Sequence, residues 1–245
     1  MSNIWTCIVA AVLPGIVLLV YVYIQDKYQR EPIPQLLKGV LFGVLSCAVA
    51  LAFAYLLGYL GYYPEDYKNV KEAFAHAFFA AAVPEECAKL LMLWLLVRRN
   101  KYFDEFFDGI VYAVTVGLGF AMIENILYVL RADNWQAVAA TRAIYSVPGH
   151  YMFAVLMGYF YSYLHFRHGH FMLRPLVLLV PVLFHGLYDA ILMSGKVIEN
   201  EWISGIISFV FIVFFIWAQT KARSAIRKML AKDKELMESG ALKGI

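Results

Sequence analysis

The sequence predicts an all-α, polytopic membrane protein of about seven transmembrane helices, and three observations carry that expectation. Of 245 residues, 62% are hydrophobic and 16% are charged, against about 25% charged in soluble domains. Apolar runs of about 18 residues or more, the length a helix needs to cross a hydrocarbon core of about 30 Å, fill most of the chain. The polar connections between these runs are short, and inside lipid each backbone polar group must be paired within its own segment, so the runs are read as helices.

The first run, 4–24, is too long for the apolar part of a signal peptide and lacks a basic leader or a small-residue cleavage site, so it is expected to be retained. Further spans are expected at 36–62, 73–97, 109–130, 143–165, 172–193 and 202–220. After them, 221–245 is a basic stretch with helical periodicity that suits an anionic membrane surface. The expected division is a membrane domain over 1–220 and a cytoplasmic tail over 221–245. The bias of Lys and Arg toward the cytoplasm gives the orientation: with the N-terminus outside, 15 basic residues fall on the cytoplasmic side and 5 on the other, Lys89 lying within a span. A net charge of +3, concentrated in the tail, argues against a nucleic-acid surface. Cys7, Cys47 and Cys87 sit in apolar runs without paired spacing and indicate neither disulfides nor a cysteine metal site.

The chemistry lies in the polar residues inside the spans. Glu85, Glu86 and Lys89 fall in the third, Glu124 and Asn125 in the fourth, His150 in the fifth, and His185 and Asp189 in the sixth. Five charges facing lipid would cost on the order of 15 kcal/mol together, so they must face inward. Glu85 and Lys89, and His185 and Asp189, are spaced i and i+4, and Glu86 and Lys89 i and i+3, so each pair shares a helix face. Counted from the extracytoplasmic ends at about 1.5 Å per residue, Glu124 and His150 lie about 10 Å deep, His185 about 12 Å and Glu85 about 18 Å. Four helices thus deliver acids and imidazoles to one layer in the outer half.

Polar side chains also serve as interhelical contacts worth about 0.6 kcal/mol each. Charge balance weighs against that reading for the whole cluster. Four carboxylates, Glu85, Glu86, Glu124 and Asp189, share the layer with Lys89 and, near the rim, Arg142. Either some are protonated or a metal cation sits among them. His150, His185 and Glu124 supply the ligand types of a catalytic zinc site, with a further Glu as general base. The same groups can activate water without metal. No HExxH occurs, Ser204-Gly205 lacks the glycine of a rhomboid-like serine motif, and Tyr188-Asp189 has no Gly-x-Gly-Asp partner.

At Glu85-Glu86-Cys87-Ala88-Lys89, Phe120-Ala121-Met122-Ile123-Glu124-Asn125, Pro148-Gly149-His150 and His185-Gly186-Leu187-Tyr188-Asp189 the chain resembles the PrsW family, within the superfamily of CAAX-type intramembrane endopeptidases and bacteriocin-protection proteins. The stretch from Phe107-Asp108-Gly109 through Gly117-Leu118-Gly119 is also similar, so the resemblance covers about 36–193. It implies a membrane-embedded endopeptidase with Glu85, Glu86, Glu124, His150, His185 and Asp189 in the active site. Where the prenyl-protein branch carries His and Asn, this chain has Glu124 and Asp189. Those acids favour a metal, leave a metal-free glutamate mechanism open and weigh against prenylated substrates. The resemblance also implies an anti-sigma factor as substrate, cut near the extracytoplasmic side. The alternative is a proton- or ion-coupled carrier, which predicts internal repeats; no second copy of Glu-Glu or His-x-x-x-Asp occurs. His76 is expected to be a rim or packing histidine, and His165, His168 and His170 interfacial cations. Pro84 and Pro148, beside site residues, are expected to open the backbone.

Overall fold

The computed structural model describes residues 3–167 and 171–240. His168 and His170, and the last five residues of the tail, lie outside the described residues. The described residues form seven helical rods and no strand. They are α1 (Ile4–Gln25), α2 (Ile33–Tyr59), α3 (70–97), α4 (Asp108–Arg131), α5 (135–166), α6 (Leu176–Val197) and α7 (Glu201–Glu238). Each expected span falls on one rod. Two rods are not regular throughout: a π-helical segment, Ala77–Ala82, interrupts α3, and another, Arg142–Ser146, interrupts α5. The remaining five are long and apolar enough to cross a membrane.

Local sequence explains where the rods begin. Asn3, Asn69, Asn134 and Asn200 each accept a hydrogen bond from a backbone N–H in the first turn of α1, α3, α5 and α7, meeting donors that the helix itself leaves unpaired. Pro32 and Pro175 stand directly before α2 and α6, where a missing N–H costs nothing.

The bundle is organised around α4. Its most apolar stretch is 78% buried, against 22% for α1 and α2, and it packs on α1, α2 and α5. Small residues permit this. A Cβ added at Gly119 would come within 2.3 Å of the Val40 carbonyl oxygen, and one at Gly158 within 2.3 Å of the Gly109 carbonyl oxygen. At both crossings backbone meets backbone, the packing that apolar solvent favours because burying apolar side chains gains nothing there.

The described part of the tail packs against the bundle. α7 continues past residue 220 without a break for 38 residues in all, about 57 Å of helix. Its far half folds against the bundle, burying Ala222, Ala225, Ile226 and Met229 in the same apolar cluster as Phe106, Phe107 and Ile110. Asp233 accepts hydrogen bonds of 2.8 Å from the backbone N–H groups of both Phe106 and Phe107. A carboxylate 125 residues beyond the start of α4 thereby ties down the two residues that lead into that helix, which has no side-chain cap.

This end of the molecule, the tail face, also buries Asp26, Glu31, Glu105 and Asp108. Asp108 accepts from the N–H groups of Asp104 and Glu105, Asp26 accepts from that of Glu31, and the Tyr112 hydroxyl donates to Glu31. Burial pushes the carboxyl of Asp26 up to about 6, that of Glu31 to about 8 and that of Glu105 to about 7, with neighbouring acids adding to the rise in the last two. Asp108, included in the family resemblance, is thus a loop-fixing residue at the opposite end of α4 from Glu124.

Candidate active site

Helix α3 presents Glu85, Glu86 and Lys89, α4 Glu124 and Asn125, α5 Arg142 and His150, and α6 His185 and Asp189. All six expected site residues come together. The Lys89 ammonium lies 3.2 Å from Glu85 Oε2, 2.8 Å from Glu86 Oε1 and 3.1 Å from His150 Nδ1, and sits 4.2 Å from the centre of the Phe120 ring. On one side, His185 Nδ1 is 2.9 Å from Glu86 Oε1 and its Nε2 is 3.2 Å from Asp189 Oδ2. On the other, His150 Nε2 is 2.9 Å from Glu124 Oε2, which also accepts from Arg142 Nη2. The result is a continuous polar chain, Asp189–His185–Glu86–Lys89–His150–Glu124–Arg142, running across four helices.

Packing fixes this chain. Phe153 stacks on His185 with ring centres 4.6 Å apart and planes 13° from parallel. Gly186 has no side chain because the Phe78 ring, in the π-helical segment of α3, would lie 2.4 Å from its Cβ. Removing that Cβ lets α3 and α6 close until Glu86 and His185 meet.

The members differ in access. Glu86 is fully buried and Lys89 nearly so. Glu85, Glu124 and Asp189 keep side-chain exposures of 14%, 17% and 20% and, with His150 and His185, line a cavity of about 400 Å³. Glu85 therefore meets whatever enters, and Glu86 holds the lysine and the imidazole from behind. His76 also lines this cavity, with its ring packed against Tyr63 and Tyr67, so it is both a rim and a packing residue, as expected. His165 packs on Phe103 on the far side of the bundle.

The close grouping of possible metal ligands shares His150 with the expected set of His150, His185 and Glu124. Among the described residues, the ligand atoms that lie within 4.8 Å of one another belong to Glu85, Glu86 and His150. Two carboxylates and an imidazole are suitable zinc donors. The Lys89 ammonium touches all three.

Arg142 is the member that sequence reasoning left at the rim. Its Nε donates to Asn125 Oδ1 at 2.6 Å, and its guanidinium lies 4.1 Å from the centre of the Tyr128 ring. Asn125 is held in turn by a bond from its Nδ2 to the Ala11 carbonyl of α1.

A helical membrane bundle enclosing a cavity of about 400 Å³ walled by carboxylates and imidazoles belongs to the class of membrane-embedded hydrolases. Residues 31–218 match the family described as PrsW family intramembrane metalloprotease, and the chain belongs to that family. It is 35% identical over 195 residues to a protein named Protease PrsW from Geobacillus kaustophilus, covering 78% of this chain and 82% of the relative. Proteins of the same name from Clostridioides difficile and Bacillus subtilis are 34% and 33% identical, over 84% and 85% of this chain and 85% and 89% of their own lengths. No solved structure matches. The chain is thus a multi-pass intramembrane peptidase, and the carrier alternative has no support.

Proposed function

We propose that this protease cuts a single-pass membrane protein, an anti-sigma factor, near the extracytoplasmic end of its span, with Glu85 as the principal general base. The face that carries the N-terminus is taken as extracytoplasmic and the tail face as cytoplasmic, following the distribution of Lys and Arg. The observation that carries the reading is the cavity, where Glu85 and Asp189 face His150 and His185 in the half of the bundle nearer the N-terminus. A carboxylate bordering this space takes a proton from attacking water and returns it to the leaving amine. The imidazoles bordering the same space supply donors for the oxyanion that develops on the scissile carbonyl. Lys89 and Glu86 hold Glu85 and His185 in place. When zinc is bound, Glu85, Glu86 and His150 would hold it and it would supply carbonyl polarisation and acidification of water, Glu85 then serving as a ligand and acting as the base only in the metal-free route.

The test is cleavage of candidate anti-sigma factors by the purified protein in detergent, with and without a strong chelator. Glu85→Gln and His185→Ala are expected to lower cleavage at least about 100-fold. Loss of cutting on chelation, restored by zinc, would establish the metal route. Cutting that survives chelation but not Glu85→Gln would establish glutamate-activated water. Unchanged cutting by both variants would remove these residues from the site.

A further inference from the structure

The geometry points to Arg142 as a positioning residue of this site: its guanidinium clamps one oxygen of Glu124 and leaves the other turned to the cavity. The inference rests on the peptidase reading above and adds a residue outside the four motifs.

Arg142 and His150 are eight residues apart, which in an unbroken α-helix puts them about 80° apart around the axis. The π-helical segment Arg142–Ser146 lies between them. A π turn accommodates one extra residue, so the pair behaves as though seven apart, about 20° from perfect alignment. Arg142 and His150 therefore face the same way, and both reach one atom, Glu124 Oε2, from Nη2 at 2.5 Å and from Nε2 at 2.9 Å.

The rest of the guanidinium is also fixed. Nε binds Asn125 Oδ1, Asn125 binds α1, and the flat face rests on Tyr128. A planar, charged fork anchored on three sides has little freedom left. Among the described residues Glu124 Oε1 has no hydrogen-bond partner, both bonds falling on Oε2, and it is not among the buried unpartnered oxygens, while Glu124 lines the cavity. Clamping one oxygen thus aims the other at the reacting groups. Arg142 itself acts through Glu124.

The experiment uses the full chain in detergent with a single-pass protein that the wild type cuts, comparing Arg142→Gln, Arg142→Lys, Glu124→Gln and the double variant Arg142→Gln/Glu124→Gln. Arg142→Gln is expected to lower kcat about 10- to 100-fold, as misplacing a catalytic group does, with KM changed less than about twofold. Arg142→Lys should recover part of kcat, and the double variant should be no slower than Glu124→Gln alone. Each variant is also unfolded thermally, where the two single substitutions should be non-additive. Additive effects on kcat, or a change confined to KM, would overturn the inference. If even the wild type cuts no candidate, the substrate reading fails, and additivity in thermal unfolding alone would then overturn the clamp.

Discussion

Two groups of buried acids lie at opposite ends of α4, and they are stabilised in different ways. Around Glu124, four carboxylates are interleaved with Lys89, Arg142 and two histidines, so that each acid touches a cationic or ionisable base. Around Asp108, the carboxyl groups of Asp26, Glu31, Glu105, Asp108 and Asp233 form no ion pair within 4 Å with any described Lys or Arg; those with bonds take backbone N–H groups and the Tyr112 hydroxyl. Oxygens of Asp26, Glu31, Glu105 and Asp108 are buried with no partner. Both groups are out of water, yet one is held by opposite charge and the other by backbone dipoles and a hydroxyl, with burial raising its carboxyls. The first arrangement keeps charged groups ready for chemistry. The second ties two loops and the last helix together, with charge as a liability.

The contrast is tested most severely at Lys89. Lys89→Met would leave Glu85 and Glu86 buried without a cation, a change expected to cost about 3–5 kcal/mol. That should lower the thermal midpoint in detergent by on the order of 10 °C. An unchanged midpoint would mean that the lysine is not what holds the acids. On the tail face, Asp233→Ala removes two bonds to the residues that lead into α4 and is expected to cost about 1–2 kcal/mol, the scale of losing a helix cap. Amide exchange at Phe106 and Phe107 should accelerate while exchange near Glu124 stays as it was; equal acceleration at both ends would erase the distinction between the two groups.

The smallest expected effect is a pH dependence. Burial, then repulsion from Asp233, Asp26 and Asp104, raises the Glu105 carboxyl to about 7. The folded chain thus holds this proton more tightly than the unfolded chain, in which the group titrates near about 4. Its contribution is full below the unfolded value and is lost as pH rises through the folded one. The thermal midpoint should therefore fall between about pH 5 and about pH 8, and Glu105→Gln should make that fall shallower. A slope identical in the two proteins would show that Glu105 does not hold the proton.

Much of this was legible in the sequence for reasons that the structure makes concrete. The spans could be read because lipid imposes length and apolarity on each helix, and the six site residues because charge inside lipid must converge. Pairs on one helix, such as His185 with Asp189, follow from the α-helical period alone. Arg142 could not be read this way, since a π turn shifts phase by one residue and no composition signal announces it. The ligand grouping of Glu85, Glu86 and His150 depends on side-chain orientations set by Phe153, Phe78 and Arg142. The docking of the tail depends on a contact between Asp233 and Phe106 across 127 positions, which periodicity within either segment cannot reveal.

The prolines that follow the π turns have one more effect. Pro84 and Pro148 carry no N–H, so in each helix a carbonyl just upstream has lost its intrahelical donor. Within a membrane such an oxygen must find another donor. In α3 the affected turn includes Ala80 and Ala81, which line the cavity beside Glu85. A carbonyl of that turn left without an intrahelical partner would be open to hydrogen bonds from a neighbouring chain. An extended peptide has unpaired N–H groups to give, whereas a helical one has spent them on its own carbonyls. Such a turn would suit a substrate that has already unwound better than one still coiled.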